Sequence, residues 1–219
     1  MRLRKEEITR KLLHLFALLM PIGIFYIPRW SLPSFLPAGI LAFLLVGSII
    51  VESLRFRVPA IQKVFFTLFG SMLREEESAK TTGSTYVVGA ALLCAVLFHK
   101  TPHISFMVLT LFILGDAVAA LVGISMGRIK IGKKSLEGSA ACFLLCMALF
   151  YGVFPFVPGL LEPWGNRIPA VMAIVISFTI TIFELIPLKI TPRFVINDNL
   201  AVPVIAGYTM LGLSKLLGL

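Results

Sequence analysis

Ile104-Ser-Phe-Met-Val-Leu-Thr-Leu-Phe-Ile-Leu-Gly-Asp-Ala-Val-Ala-Ala-Leu-Val-Gly123 carries one charged residue, Asp116, in a run long enough to cross hydrocarbon, which takes roughly 20 apolar residues. Six further apolar runs flank it, at about Leu12 to Ile27, Phe35 to Leu54, Thr85 to Phe98, Ser139 to Val157, Val171 to Leu188 and Leu200 to Leu217. The third of the seven, Thr85 to Phe98, reaches crossing length only if Thr81 to Ser84 enters the interface. The chain is 58% hydrophobic and 14% charged, with a mean hydropathy of +0.96. A soluble domain carries about a quarter charged residues, so a water-soluble globule is excluded. The pattern predicts an all-α, polytopic bundle of about seven transmembrane helices in a single domain over residues 1–219. Cys94, Cys142 and Cys146 lie inside apolar runs without a C-x-x-C pair, as packing thiols do.

Between the second and third runs, Val58 to Leu73 repeats Ile61, Val64, Phe65, Leu68, Phe69 and Met72 at helical spacing, which predicts one amphipathic helix lying on the membrane. Met1 to Lys11 followed by Leu12 to Ile27 has the basic-then-apolar order of a secretory signal. No small-residue cleavage site follows, so the segment reads as a first span.

Positive residues stay on the cytoplasmic side of a span. With the N-terminus cytoplasmic, the inner segments carry Arg2, Arg4, Lys5, Arg10 and Lys11, then Arg55, Arg57, Lys63, Arg74 and Lys80, then Arg128, Lys130, Lys133 and Lys134, then Lys189 and Arg193. Only Arg29, Lys100, Arg167 and Lys215 remain outside. The formal charge of +9 is thus accounted for by topology, without a nucleic-acid partner. Of the acids, only Glu162 falls on the outer side. Acids do not set topology, so their concentration inside points to a cytoplasmic active site.

A carboxylate within a span needs a partner or a polar cavity, and marks a functional site by default. Asp116 sits about 10 Å of helix rise from the inner end of its run. Gly115, Ala117, Ala119, Ala120 and Gly123 around it are small and admit close approach. The following loop, Ile124-Ser-Met-Gly-Arg-Ile-Lys-Ile-Gly-Lys-Lys-Ser-Leu-Glu-Gly-Ser139, packs four cations among glycines and serines. Such a loop either cradles a polyphosphate against the start of a helix near Ser139 or holds anionic headgroups. Gly127-x4-Gly132-Lys133-Lys134 misses the P-loop pattern, because Ser135 comes one residue late.

Leu73 to Tyr86, with three consecutive acids, reads on its own as a solvated helix surface. Glu184 precedes Pro187 near the end of the sixth run, and Asn197-Asp198-Asn199 opens the seventh, where Asp198 either caps the helix or joins the other carboxylates. Asp116, Glu137, Glu184 and Asp198 beside a basic glycine-rich loop form an inventory for a magnesium-bound triphosphate. His14 reads as a packed or interfacial residue, and His99 and His103, on the outer side, as non-ligands. Tyr26, Trp30 and Trp164 fall where an aromatic belt would lie.

Gly115-Asp116 through Gly123, then Gly127, Lys130 and Lys134-Ser-Leu-Glu-Gly-Ser139, then Glu184 and Asp198-Asn199 with Pro203, resembles the membrane kinase family containing dolichol kinase, phytol kinase and the CTP-dependent diacylglycerol kinase. The segment from Arg74 to Gly89 resembles the family's earlier cytoplasmic motif, and the likeness runs from about Arg74 to Gly207. The chain lacks the extra N-terminal spans of the long dolichol kinases. The resemblance implies that CTP, with Mg2+ or another divalent cation, donates its γ-phosphate to the hydroxyl of a polyprenol, dolichol or phytol type of lipid alcohol. It implies catalytic roles for Asp116, Lys134 and Glu137, and metal ligation by Asp116, Glu184 and Asp198. Nucleotide contacts are implied for Gly115, Gly127, Arg128, Lys130, Gly132, Lys133, Ser135, Gly138, Ser139, Asp198 and Asn199, with Glu77, Lys80 and Glu184 as further candidates. The expected location is a prokaryotic inner membrane with the site facing the cytoplasm; the sequence sets no oligomeric state. Two other readings stand beside the kinase: a CDP-lipid-forming cytidylyltransferase, and a non-enzymatic transporter or lipid-binding protein.

Overall fold

The computed structural model describes residues 15–70, 73, 75–186, 188–191 and 194–219. The basic N-terminal stretch on which the N-terminal orientation rests, His14, Arg74, Pro187 and Arg193 lie outside the described residues. The described helices are α1 (Leu19–Tyr26), α2 (Leu36–Arg57), α3 (Pro59–Phe69), α4 (Gly83–Leu97), α5 (Pro102–Ser125), α6 (Leu136–Gly152), α7 (Ala170–Leu185) and α8 (Asp198–Leu216). Proline sets several starts. Pro59 and Pro102 occupy the first positions of α3 and α5, Pro37 lies in the first turn of α2, and Pro169 precedes α7; there a missing N–H removes a donor that would be unpaired anyway.

Each apolar run of the sequence contains a described helix, and α2, α5 and the stretch Leu136–Phe156 are long and apolar enough to cross a membrane. α4 and α7 are apolar but shorter. The all-α expectation needs one correction. Two small antiparallel hairpins interrupt the bundle, β1 (Lys130–Ile131) with β2 (Lys134–Ser135), and β3 (Lys189–Thr191) with β4 (Phe194–Val195). Strands this short carry no readable alternation. The sixth run therefore ends as helix at Leu185, where β3 soon takes over.

α5 is the central helix, packed by α1, α6, α7 and α8, and 61% of its most apolar window is buried against 17% in α2. α2 packs on α3 and α4, and α4 on α8. Glycine admits the closest approaches: a Cβ on Gly115 would come within 2.9 Å of Cys142 Sγ, and one on Gly207 would strike the Phe98 ring. α3 buries no residue and leaves Val64, Leu68 and Phe69 exposed. At the end of the bundle where α5 begins, Arg29 lies 3.7 Å over the Phe25 ring and donates to Gly159 O at 3.2 Å. Trp30 is exposed there, as a belt residue would be, but Trp164 is buried edge-on against His103, so its place is interior.

Candidate active site

Three elements meet at Lys134, the first residue of β2. Its ammonium donates to Asp198 Oδ2 at 2.8 Å, reaches Glu184 Oε1 at 2.9 Å, and also donates to the main-chain carbonyl of Glu184. Glu184 is in the last turn of α7, whose final carbonyls lack helical partners and carry partial negative charge, so an ammonium suits that end. Asp198 opens α8, where backbone N–H groups favour a carboxylate. Asn197, not Asp198, is the N-cap: its side chain accepts from Asn199 N at 3.0 Å. Asp198 Oδ1 accepts the same N–H at 3.0 Å, which leaves Oδ2 for Lys134.

The cluster is wet on one side only. Glu184 is 5% exposed, while Lys134 and Asp198 are 30% and 33% exposed. Burial opposes the charge on Lys134, but the attraction of Glu184 and then Asp198 outweighs it and holds the ammonium's pKa above the ordinary lysine value. Lys134 is therefore charged throughout the neutral range. Asp116, half-buried on α5, lies within electrostatic reach of Glu184. Residues far apart in sequence thus converge: Lys134, Glu184 and Asp198 are in contact, with Asp116 near enough to act on Glu184.

The basic loop is folded more tightly than a loose phosphate cradle. α6 begins at Leu136, a turn earlier than Ser139, because Ser135 Oγ caps it by accepting Gly138 N at 3.1 Å. Ser139 Oγ donates back to Ser135 O at 3.1 Å, so both buried hydroxyls serve the helix start. Lys130 Nζ donates to Gly123 O at 2.9 Å and closes the end of α5. Glu137 accepts Ile129 N with both carboxylate oxygens, at 3.1 and 3.3 Å, and so pins the strand ahead of it. Gly127 and Gly138 sit where a Cβ would collide with the carbonyls of Gly123 and Ala119 respectively, and Gly123 where it would come within 2.9 Å of Ser135 Oγ. Gly138→Ala is accordingly expected to destabilise the protein by about 1–3 kcal/mol, read as a lower unfolding midpoint in detergent. Gly132 turns the hairpin at φ 62°, and with Arg128 and Lys133 it is exposed.

A third group of residues escaped the sequence reading. Glu52 and Arg55, near the end of α2, are 5% and 1% exposed and bond through Arg55 Nε and Glu52 Oε2 at 2.6 Å. Glu52 Oε1 accepts from Thr82 N at 2.9 Å and Thr82 Oγ1 at 2.7 Å; Ser48 and Thr85 hydroxyls bond to each other at 2.5 Å beside them. Arg55 Nη2 donates to the carbonyls of Glu77 and Lys80 at 2.9 and 2.6 Å. Within the acidic stretch, Glu77 is held in place and is not a freely solvated side chain. Glu75–Ser78 is a 3-10 turn, and Glu77 Oε1 accepts Gly83 N at 2.8 Å at the start of α4. The Lys80 side chain is exposed. Glu52 three residues before Arg55 at the end of an apolar run was the available signal.

Among the described residues, no group of three or more His, Cys, Asp or Glu side chains gathers to hold a metal ion. Lys134 already stands between Glu184 and Asp198. The oxygen donors therefore suit an ion that arrives with a triphosphate and keeps several waters, touching one or two carboxylates, rather than a resident ion in a protein cage.

No family model matches the chain, and no solved structure matches it. The CTP-dependent diacylglycerol kinase 1 of Schizosaccharomyces pombe is 30% identical over 214 residues, covering 93% of this chain and 91% of that protein. A probable chloroplastic phytol kinase of Triticum aestivum is 26% identical over 214 residues, 92% of this chain and 66% of the wheat protein. An uncharacterised protein of Rickettsia prowazekii is 25% identical over 202 residues, 90% and 89% of the two chains. With near-full-length similarity to the yeast kinase and a polar constellation at the end of an apolar helical bundle, the chain belongs to the membrane lipid kinase family that contains CTP-dependent diacylglycerol kinase and phytol kinase.

Proposed function

We propose that this protein transfers the γ-phosphate of CTP to the hydroxyl of a membrane lipid alcohol. The observation that carries the reading is the pairing of Lys134 with Glu184 and Asp198, with Asp116 in electrostatic reach, at the end of an apolar bundle and beside a basic hairpin. A lipid hydroxyl stays at headgroup depth and a nucleotide arrives from water, so the transfer needs charged groups at the interface. The Lys and Arg asymmetry supports a cytoplasmic site, with α1, α2 and α4 to α8 as seven crossings and α3 lying on the surface. The named activities of the relatives favour diacylglycerol or phytol as acceptor, with longer polyprenols as the further class to test.

Phosphoryl transfer relies on positioning and charge stabilisation, so no covalent nucleophile is needed. Asp116 accepts the proton of the acceptor hydroxyl as its oxygen bonds to the γ-phosphorus, and CDP leaves. Lys134 stabilises the charge that spreads over the transferring group, and the exposed Arg128 and Lys133 steer the triphosphate. Glu137 keeps the hairpin in place. Magnesium entering with CTP would neutralise phosphate charge, with Asp116 and Asp198 as its reachable carboxylates.

CTP labelled separately at its α and γ phosphates, given to the purified protein in vesicles holding diacylglycerol, phytol or polyprenol, tests the reading. The expected result is γ label in one of the lipids. Incorporation of the α label would instead identify a cytidylyltransferase. If neither label enters any lipid, the kinase reading falls.

A further inference from the structure

The Lys134 cluster is tied to a buried charge pair by an unbroken chain of contacts. Arg55 Nη2 holds the carbonyls of Glu77 and Lys80. Glu77 Oε1 accepts Gly83 N, and Asn199 Nδ2 donates to Gly83 O at 3.4 Å. The backbone N–H of Asn199 is in turn held by Asp198 Oδ1, and Asp198 Oδ2 receives Lys134. The middle of this chain leaves little room for a side chain. A Cβ on Gly83 would come within 2.9 Å of Asn199 Nδ2 and 3.2 Å of Glu77 Oε1.

The guanidinium that begins the chain is expensive to keep. It is 1% exposed, flanked by the Phe56 and Phe65 rings at 4.4 and 4.6 Å, and its Nη1 has no hydrogen-bond partner among the described residues. Removing two charges from water gains little net stability even when the pair is well made, and an unmet donor makes the balance worse. A role in fixing geometry accounts for the residue better than a role in stability.

We propose that Arg55 is a positioning residue: acting through the 77–83 turn and Asn199, it fixes Asp198, and with it the Lys134 ammonium, for phosphate transfer. The assignment to transfer rests on the lipid kinase reading, whereas the mechanical link from Arg55 to Asp198 does not. Lys at position 55 keeps the charge but loses the planar fork that spans Glu52 and two carbonyls.

The test compares Arg55→Lys, Gly83→Ala and the double variant with the parent protein in vesicles, by γ-phosphate transfer and by hydrogen exchange of the segments 77–83 and 197–200. Misplacement of reacting groups by a distant change costs up to about 100-fold, so each single variant is expected to lower kcat roughly 10- to 100-fold with KM for the lipid unchanged. Because both act on the same contact, the double variant is expected to lose no more than the worse single one, and multiplied losses would overturn the proposal. Arg55→Lys is also expected to speed exchange in 197–200 as well as in 77–83. Faster exchange confined to 77–83 would overturn the link, whatever the activity. If the parent transfers no phosphate to any lipid while the exchange of the two segments remains coupled, the kinase reading fails and the link from Arg55 to Asp198 stands.

Discussion

Lys134→Ala is expected to lose about 10²- to 10³-fold in CTP-dependent transfer, the usual effect of removing one fixed group that stabilises transition-state charge. The ammonium lies between a carboxylate that is 5% exposed and one that is 33% exposed, so no water-borne cation replaces it with the same placement. Its removal also leaves Glu184 and Asp198 unmatched beside Asp116. Leaving a buried acceptor unpaired costs roughly 1–3 kcal/mol, so a lower unfolding midpoint in detergent is expected alongside the lost turnover. Initial rates at saturating lipid and varied CTP, measured together with a thermal scan, check both effects. Parental turnover in this variant would remove Lys134 from the mechanism.

Asp116→Asn is expected to separate activity from folding more cleanly. The amide keeps the shape of the carboxylate but cannot take a proton from the acceptor hydroxyl, a loss of about 10²- to 10⁴-fold where a carboxylate acts as general base. The amide also keeps the size and one acceptor oxygen of the side chain, so the fold is expected to hold while transfer is lost. Single-turnover transfer from γ-labelled CTP, set against the melting curve of the same preparation, reads the two separately. A variant that melts normally and transfers at the parental rate would exclude Asp116 as the base.

The helices were legible because a lipid-facing or core helix needs an unbroken apolar run, and prolines such as Pro59 and Pro102 mark where helices start. The small hairpins were not legible: two residues per strand leave no alternation, and Leu136-Glu-Gly-Ser139 reads as loop although Ser135 makes it the first turn of α6. Of the candidate site, Asp116 declared itself as the one acid inside its apolar run, and Glu184 and Asp198 as acids near the ends of theirs. Apart from the resemblance, Lys134 was one cation of four in its loop; its contacts depend on tertiary structure. Glu52 and Arg55 went unread for the opposite reason. A cation at the end of a span is expected at the interface, so nothing local distinguishes a solvated arginine from one enclosed by two phenylalanines.

Gly123, Gly127 and Gly138 bring the backbone at the end of α5 against the first turn of α6 with no side chain between them. Two surfaces joined so closely move as one piece. The base of the basic hairpin is therefore anchored to the bundle, and under the kinase reading its cations would meet a nucleotide from a fixed footing.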